Sequence, residues 1–214
     1  MDETELRQQV IDACLGMNRL GINQGTSGNV SAAVADGILI SPSATPYESL
    51  RPADIVHVRA DGSWDPAQLP SVEWHFHLGI SQARPDIKAI VHTHSMYASI
   101  CSIRREAIPA VHYMIAAAGG PDIRCSDYHT YGTPELAETA IKALEGRMAC
   151  LLANHGVIAA GTSVAKALWL AKEVEVLAQQ YVFSQLLGGA GPVLLDDAEI
   201  ERVREKMKGY GIKD

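Results

Sequence analysis

Eight histidines are distributed over a chain of 214 residues. Two of them, His92 and His94, stand two residues apart at the end of the β-branched run Ala89-Ile90-Val91-His92-Thr93. Strand side chains alternate between faces, so these two imidazoles point the same way and could share one cation. A third ligand must come from elsewhere in the chain. His155 lies 61 residues beyond His94, in the tight turn Asn154-His155-Gly156 between two apolar segments. Three neutral imidazoles leave one position of a tetrahedral zinc open, as a catalytic site requires. From spacing alone, metal binding and a hydrogen-bonded histidine pair stand as equal alternatives, and nothing in the spacing names His155 as the partner.

His75 and His77 share the same spacing on an expected helix, where they lie about 200° apart and cannot face one ion together. They read as ordinary helix residues. His57 and His129 have no partner in the sequence and read as surface or packing residues. Glu73 opens the same helix directly after Ser71; a carboxylate in a first turn often only compensates the helix dipole, unless it sits beside a metal. Gly25-Thr26-Ser27-Gly28-Asn29 matches neither a P-loop nor a dinucleotide-binding fingerprint and reads as a turn. Ser41-Pro42-Ser43-Ala44 and Ser71-Val72 add hydroxyls and backbone N–H groups, and neutral donors with a helix N-terminus can hold a phosphate without Lys or Arg.

The elements that must position these residues follow from periodicity. Leu6, Val10, Ala13 and Met17 recur at helical spacing and predict a helix over residues 3–20, ending near Gly21. Strands are expected at 30–35 and 38–40, joined by an Asp36-Gly37 hairpin signal, and at 55–58. A helix over 73–83 stops at Arg84-Pro85, strands follow at 89–93 and 108–115, and Thr133-Pro134 caps a helix over 135–144. Residues 150–153 and 157–160 read as apolar strands, and 164–187 as the longest helix, with Ala167, Leu170, Val174, Leu177 and Tyr181 on its buried stripe. Asp196 with Glu199 marks the start of a final helix ending near Gly209. Most strands are joined by short turns, which implies a largely antiparallel sheet with helices packed on it.

Composition bounds the function. A hydrophobic fraction of 47% with 20% charged residues supports a folded core. The net charge of −7 and the absence of a Lys/Arg run argue against nucleic acid. No apolar stretch is long enough for a membrane span, and residues 1–10 lack the basic and apolar blocks of a signal peptide. Cys14, Cys101, Cys125 and Cys150 are scattered without a C-x-x-C pair. One domain over residues 1–214, in the cytoplasm, is the expectation.

Several motifs in order resemble the class II aldolase and epimerase family, in its fuculose-phosphate aldolase branch. They are residues 20–30 (LGINQGTSGNV), 70–74 (PSVEW), 91–94 (VHTH), 108–120 (IPAVHYMIAAAGG), 154–156 (NHG) and 166–171 (KALWLA). The resemblance implies a three-layer α/β/α domain around a largely antiparallel sheet, assembled as a homotetramer with active sites at subunit boundaries. It implies zinc, with Mn2+ or Co2+ as substitutes, held by His92, His94 and His155, with Glu73 as the carboxylate at the metal and the catalytic acid–base. Tyr113 would reach in from a neighbouring subunit, and Tyr210 would close the site from the tail. Phosphate binding is implied for Gly28, Asn29, Ser43, Ala44, Ser71 and Val72, although the family pattern has Thr-Gly at 43–44 and Ser-Ser at 71–72.

The reaction implied is zinc-dependent retro-aldol cleavage of a ketose 1-phosphate to dihydroxyacetone phosphate and an aldehyde. The ketose would be L-fuculose 1-phosphate or a 5-deoxy- or 5-methylthio-ribulose 1-phosphate. A ribulose-phosphate 4-epimerase and a non-catalytic domain like the adducin head are the alternatives.

Overall fold

The computed structural model describes residues 2–208, so Tyr210 lies outside the described residues. Seven strands form one sheet in the order β3-β2-β1-β4-β7-β6-β5. These are β1 (Asn29–Val34), β2 (Gly37–Ile40), β3 (Val56–Val58), β4 (Ala89–Thr93), β5 (Arg124–Ser126), β6 (Ala149–Leu152) and β7 (Gly156–Gly161). Every neighbouring pair is antiparallel except β5 with β6. Six α-helices accompany them: α1 (Glu3–Arg19), α2 (Trp74–Ala83), α3 (Met96–Arg104), α4 (Pro134–Ala143), α5 (Val164–Leu186) and α6 (Asp197–Met207).

Alternation along the strands divides the core into layers. Ala89 and Val91 of β4, with Val157 and Ala159 of β7, meet α1 and α5 residues such as Val10, Met17, Leu170 and Val174. Ile90, Ile158 and Ala160 face the other way, onto Phe76 and Ile80 of α2 and Leu136 and Ala140 of α4. The sheet is therefore sandwiched between helices, as the resemblance implied. Burying a side chain of this kind contributes roughly 1.5–3 kcal/mol, so the two apolar layers fix which strand face His92 must share.

Local signals account for several boundaries. Thr133 accepts from the Leu136 N–H at 3.4 Å, and Asp196 from the Glu199 N–H at 2.7 Å. The hairpin turn lies one residue earlier than expected: Val34 pairs with Gly37, so Ala35-Asp36 makes the turn. The strand expected at 108–115 does not form. Ile108 makes only an isolated bridge to Ile123, after which Pro109 offers no N–H to a ladder. The His112 ring then accepts from the Met114 N–H at 3.2 Å and caps a 3-10 turn, Tyr113–Ala118.

Helix α3 had no counterpart in the sequence reading. Its cap is remote: the buried Glu175 carboxylate of α5 accepts from the Tyr97 and Ala98 N–H groups, both at 2.9 Å. The helix that follows His94 is thereby anchored across the core.

Candidate metal centre

The end of β4 lies between β1 and β7, with His92 opposite Asn29 on one side and Ile158 on the other. Directly opposed residues of an antiparallel pair share a face. Asn29, Ser31 and His92 therefore all face α2. His155 arrives from the three-residue turn between β6 and β7, where Asn154 takes a left-handed φ of 53°. The Asn154 N–H donates to Ser102 O at 3.0 Å, and its side-chain oxygen accepts from Arg105 Nε at 2.9 Å, which fixes the turn. Glu73 stands at the entry to α2, immediately before its first helical residue.

One ligand atom each of Glu73, His92, His94 and His155 lies within 4.8 Å of all the others. His92 Nε2 is 3.0 Å from His94 Nε2 and 3.1 Å from Glu73 Oε2, and His155 Nε2 is 3.1 Å from Glu73 Oε1. His92 Nδ1 is 3.0 Å from the Val157 carbonyl. A carbonyl only accepts, so the ring proton sits on Nδ1 and Nε2 turns a lone pair into the cluster. Glu73 Oε1 is buried and has no hydrogen bond. Converging lone pairs and a buried, unbonded carboxylate oxygen are costly on their own and fit a divalent cation. The three-nitrogen, one-carboxylate donor set suits that ion.

Electrostatics reinforce the arrangement. Burial works to raise the Glu73 carboxyl, but the positive charge that His92 and His155 carry when protonated outweighs it and holds the group well below the usual carboxylate range. Burial, with His92 and His155 adding repulsion, lowers His94 to about 4. At neutral pH the site thus offers an ionised carboxylate and an unprotonated His94.

Backbone proximity explains two glycines. A Cβ on Gly28 would stand 2.6 Å from the His92 carbonyl oxygen. One on Gly156 would stand 2.4 Å from the Thr93 oxygen and 2.9 Å from His94 Cδ2.

The segments expected to bind phosphate come together beside Glu73, through a bridge between Pro42 and Pro70. The N–H of Gly28 is taken by Asn23 Oδ1, that of Ser43 by Leu69 O and that of Ser71 by Ser41 O. The Ser71 hydroxyl accepts from the Glu73 N–H at 3.3 Å, and the Ser43 hydroxyl and the N–H groups of Ala44 and Val72 belong to the same two segments. Ala44 holds a left-handed φ of 51°, a conformation that favours glycine. Tyr113 is half exposed in its 3-10 turn, its ring beside His112, and lines a surface groove with Val193, Leu195 and Met207.

Two residues of this neighbourhood, His77 and Ser31, were missed by sequence reasoning. His77 is fully buried, with Nε2 at 2.5 Å from Asn29 Oδ1 and Nδ1 at 2.7 Å from Ser31 Oγ. Asn29 Nδ2 in turn donates to Glu73 Oε2 at 2.9 Å. The reading of His75 and His77 as ordinary helix residues is thus corrected for His77. Positions 73 and 77 are one helical turn apart and share a face, which was the available signal.

Fold and site together define a class. Residues 8–182 match the family described as the Class II Aldolase and Adducin N-terminal domain, and the chain belongs to it. It is a class II aldolase. The L-fuculose phosphate aldolase of Escherichia coli (strain K12) is 49% identical over 213 residues, covering 100% of this chain and 99% of the relative. A 5-methylthioribulose-1-phosphate/5-deoxyribulose-1-phosphate aldolase of Rhodospirillum rubrum is 48% identical over 206 residues, covering 96% and 92%. A solved L-fuculose 1-phosphate aldolase superposes with a TM-score of 0.92 at 39% identity, over 97% of this chain and 98% of that one.

Proposed function

We propose that this aldolase cleaves a ketose 1-phosphate between carbons 3 and 4, giving dihydroxyacetone phosphate and an aldehyde, with zinc held by His92, His94, His155 and Glu73. The convergence of three imidazole nitrogens on one buried carboxylate supports this reading. A divalent cation bound there supplies the positive charge that stabilises the enediolate left when the bond breaks.

The chain's own residues have the proton work. When the bond breaks, its electron pair stays on carbon 3, and the hydroxyl on carbon 4 becomes the aldehyde carbonyl by losing its proton. Glu73 carries the proton that carbon 3 gains, and in the synthetic direction removes it again. Tyr113, contributed by a neighbouring subunit of a homotetramer, takes the proton of the departing oxygen, and Tyr210 closes the site. The hydroxyls of Ser43 and Ser71, with the N–H groups of Ala44 and Val72, receive the phosphate; Gly28 and Asn29 frame its pocket.

The two most informative relatives differ in substrate yet are almost equally similar to this chain. Identity therefore does not select the aldehyde. The test is dihydroxyacetone phosphate release from L-fuculose 1-phosphate, 5-deoxyribulose 1-phosphate and its methylthio analogue, with zinc-loaded and chelated protein compared. Zinc-dependent release from one of them is expected, and the ranking names the substrate. Release from none would reject the reading and favour an epimerase. Metal-free protein as active as the loaded form would reject the metal's role.

A further inference from the structure

The polar groups behind Glu73 form a chain with only one consistent direction. An ionised carboxylate only accepts, so Asn29 must present its NH2 group to Glu73 Oε2. Its carbonyl oxygen, Oδ1, then faces His77 Nε2, which must carry the ring proton. The neutral ring leaves Nδ1 bare, and the Ser31 hydroxyl donates to it. The donors therefore run from Ser31 to His77 to Asn29 to Glu73. Had the His77 proton sat on Nδ1, two acceptors would face each other at Nε2, a buried clash that costs a full desolvation penalty.

His77 touches neither the metal ligands' nitrogens nor any open cleft. It is sealed under α2 against Phe76, whose ring centroid lies 4.6 Å away. A fully buried imidazole that is hydrogen-bonded at both nitrogens is held in one rotamer and one tautomer. The asymmetry this imposes falls on Glu73. Its Oε2 accepts a hydrogen bond from the Asn29 amide, whereas its Oε1 has only the His155 ring nitrogen beside it, at 3.1 Å.

We propose that His77 is a positioning residue for the aldol reaction: by locking the Asn29 carboxamide it makes Glu73 Oε2 the fixed acceptor and leaves Oε1 as the oxygen that takes up and returns the substrate proton. This rests on the proposed role of Glu73, and extends it from the residue to the atom. His77 acts through Asn29 and makes no contact with substrate.

Two measurements test it. The first needs no substrate and no metal. Nitrogen-15 NMR of histidine-labelled, metal-free protein reads the His77 tautomer, with Asn29→Ala as reference. The Nε2–H tautomer is expected, with a downfield ring proton that moves in Asn29→Ala. A proton on Nδ1 would overturn the chain of donors whatever the enzyme's substrate.

The second measurement compares His77→Phe and His77→Gln in zinc-loaded protein. Phenylalanine keeps the ring and removes both polar contacts, while glutamine restores a donor near Nε2. His77→Phe is expected to lose about 10–100-fold in kcat, the range typical of outer-shell partners. Its KM and its stoichiometry of one metal per chain should stay near wild type, and His77→Gln should recover most of the loss.

Wild-type kcat in His77→Phe would overturn the proposal. So would a loss confined to KM or metal content, or His77→Gln no better than His77→Phe. Should His77→Phe fail to fold, His77→Gln and the tautomer still decide it. Failure of the wild-type enzyme on every ketose 1-phosphate would reject the substrate reading alone, and the ring spectrum would still test the donor chain.

Discussion

Gly156→Ala adds a single methyl group at the point where the metal turn rejoins the sheet. The added Cβ would stand 2.4 Å from the Thr93 oxygen and 2.9 Å from His94 Cδ2. A carbon meets a carbonyl oxygen comfortably at about 3.3 Å, so the strands must part by about 0.9 Å. Thr93 pairs with Val157 across that gap, and the strain falls on the β4–β7 ladder and on His94. Forcing extra atoms into a packed site costs about 1–3 kcal/mol. Taken up wholly at the ligands, this weakens metal affinity about 5–150-fold. Taken up in the ladder, it lowers Tm by about 2–12 °C for a chain of this size. Chelator competition reads the first and calorimetry of metal-free protein reads the second. Variant protein with metal affinity within about twofold of wild type and Tm within about 1 °C would refute the reasoning, because a surface methyl has effects of that size.

Other expectations are independent of it. Glu73→Ala should keep the metal on three imidazoles but stop exchange of the proton on carbon 3 of dihydroxyacetone phosphate, whereas His92→Ala should lose both; exchange by mass spectrometry and metal analysis separate the two. Ala44→Gly should raise Tm by about 1–4 °C, because relief of a left-handed alanine, about 1–2 kcal/mol, exceeds the entropy gained by the unfolded chain, about 0.4–1 kcal/mol. Glu175→Gln should cost about 1–2 kcal/mol in urea unfolding by weakening charge-assisted hydrogen bonds, and should speed hydrogen exchange at Tyr97 and Ala98 first. Chelation should lower Tm in a metal-concentration-dependent way, since a ligand of the native state alone stabilises by mass action.

Elements whose signals are local were legible in the sequence. Helix α1 shows its stripe at Val10, Ala13 and Met17, and α4 its Thr133-Pro134 start. The candidate metal ligands at the end of β4 were visible as a spacing, because a strand's period places His92 and His94 on one face. What was hidden depends on distant partners. Helix α3 takes its cap from Glu175, some eighty positions along the chain, while the adjacent N-cap residue, Ser95, makes no side-chain cap hydrogen bond. The apolar 108–115 segment carries the composition of a strand, yet Pro109 and the His112 cap turn it into a 3-10 element. His77 was hidden because its spacing relates it to His75, whereas its partners lie on β1. The two do face apart, but one of those directions leads to Asn29.

The order of the ligands along the chain has a consequence for biogenesis. His92 and His94 leave the ribosome 63 and 61 residues ahead of His155, and synthesis proceeds from the N-terminus. Through that interval the nascent chain owns three of the four side chains, two of them at the end of a strand still lacking its β7 neighbour. Glu73 is present, but the hairpin that completes the set has yet to be translated. The complete set of four side chains therefore exists only once the hairpin of β6 and β7 has been translated.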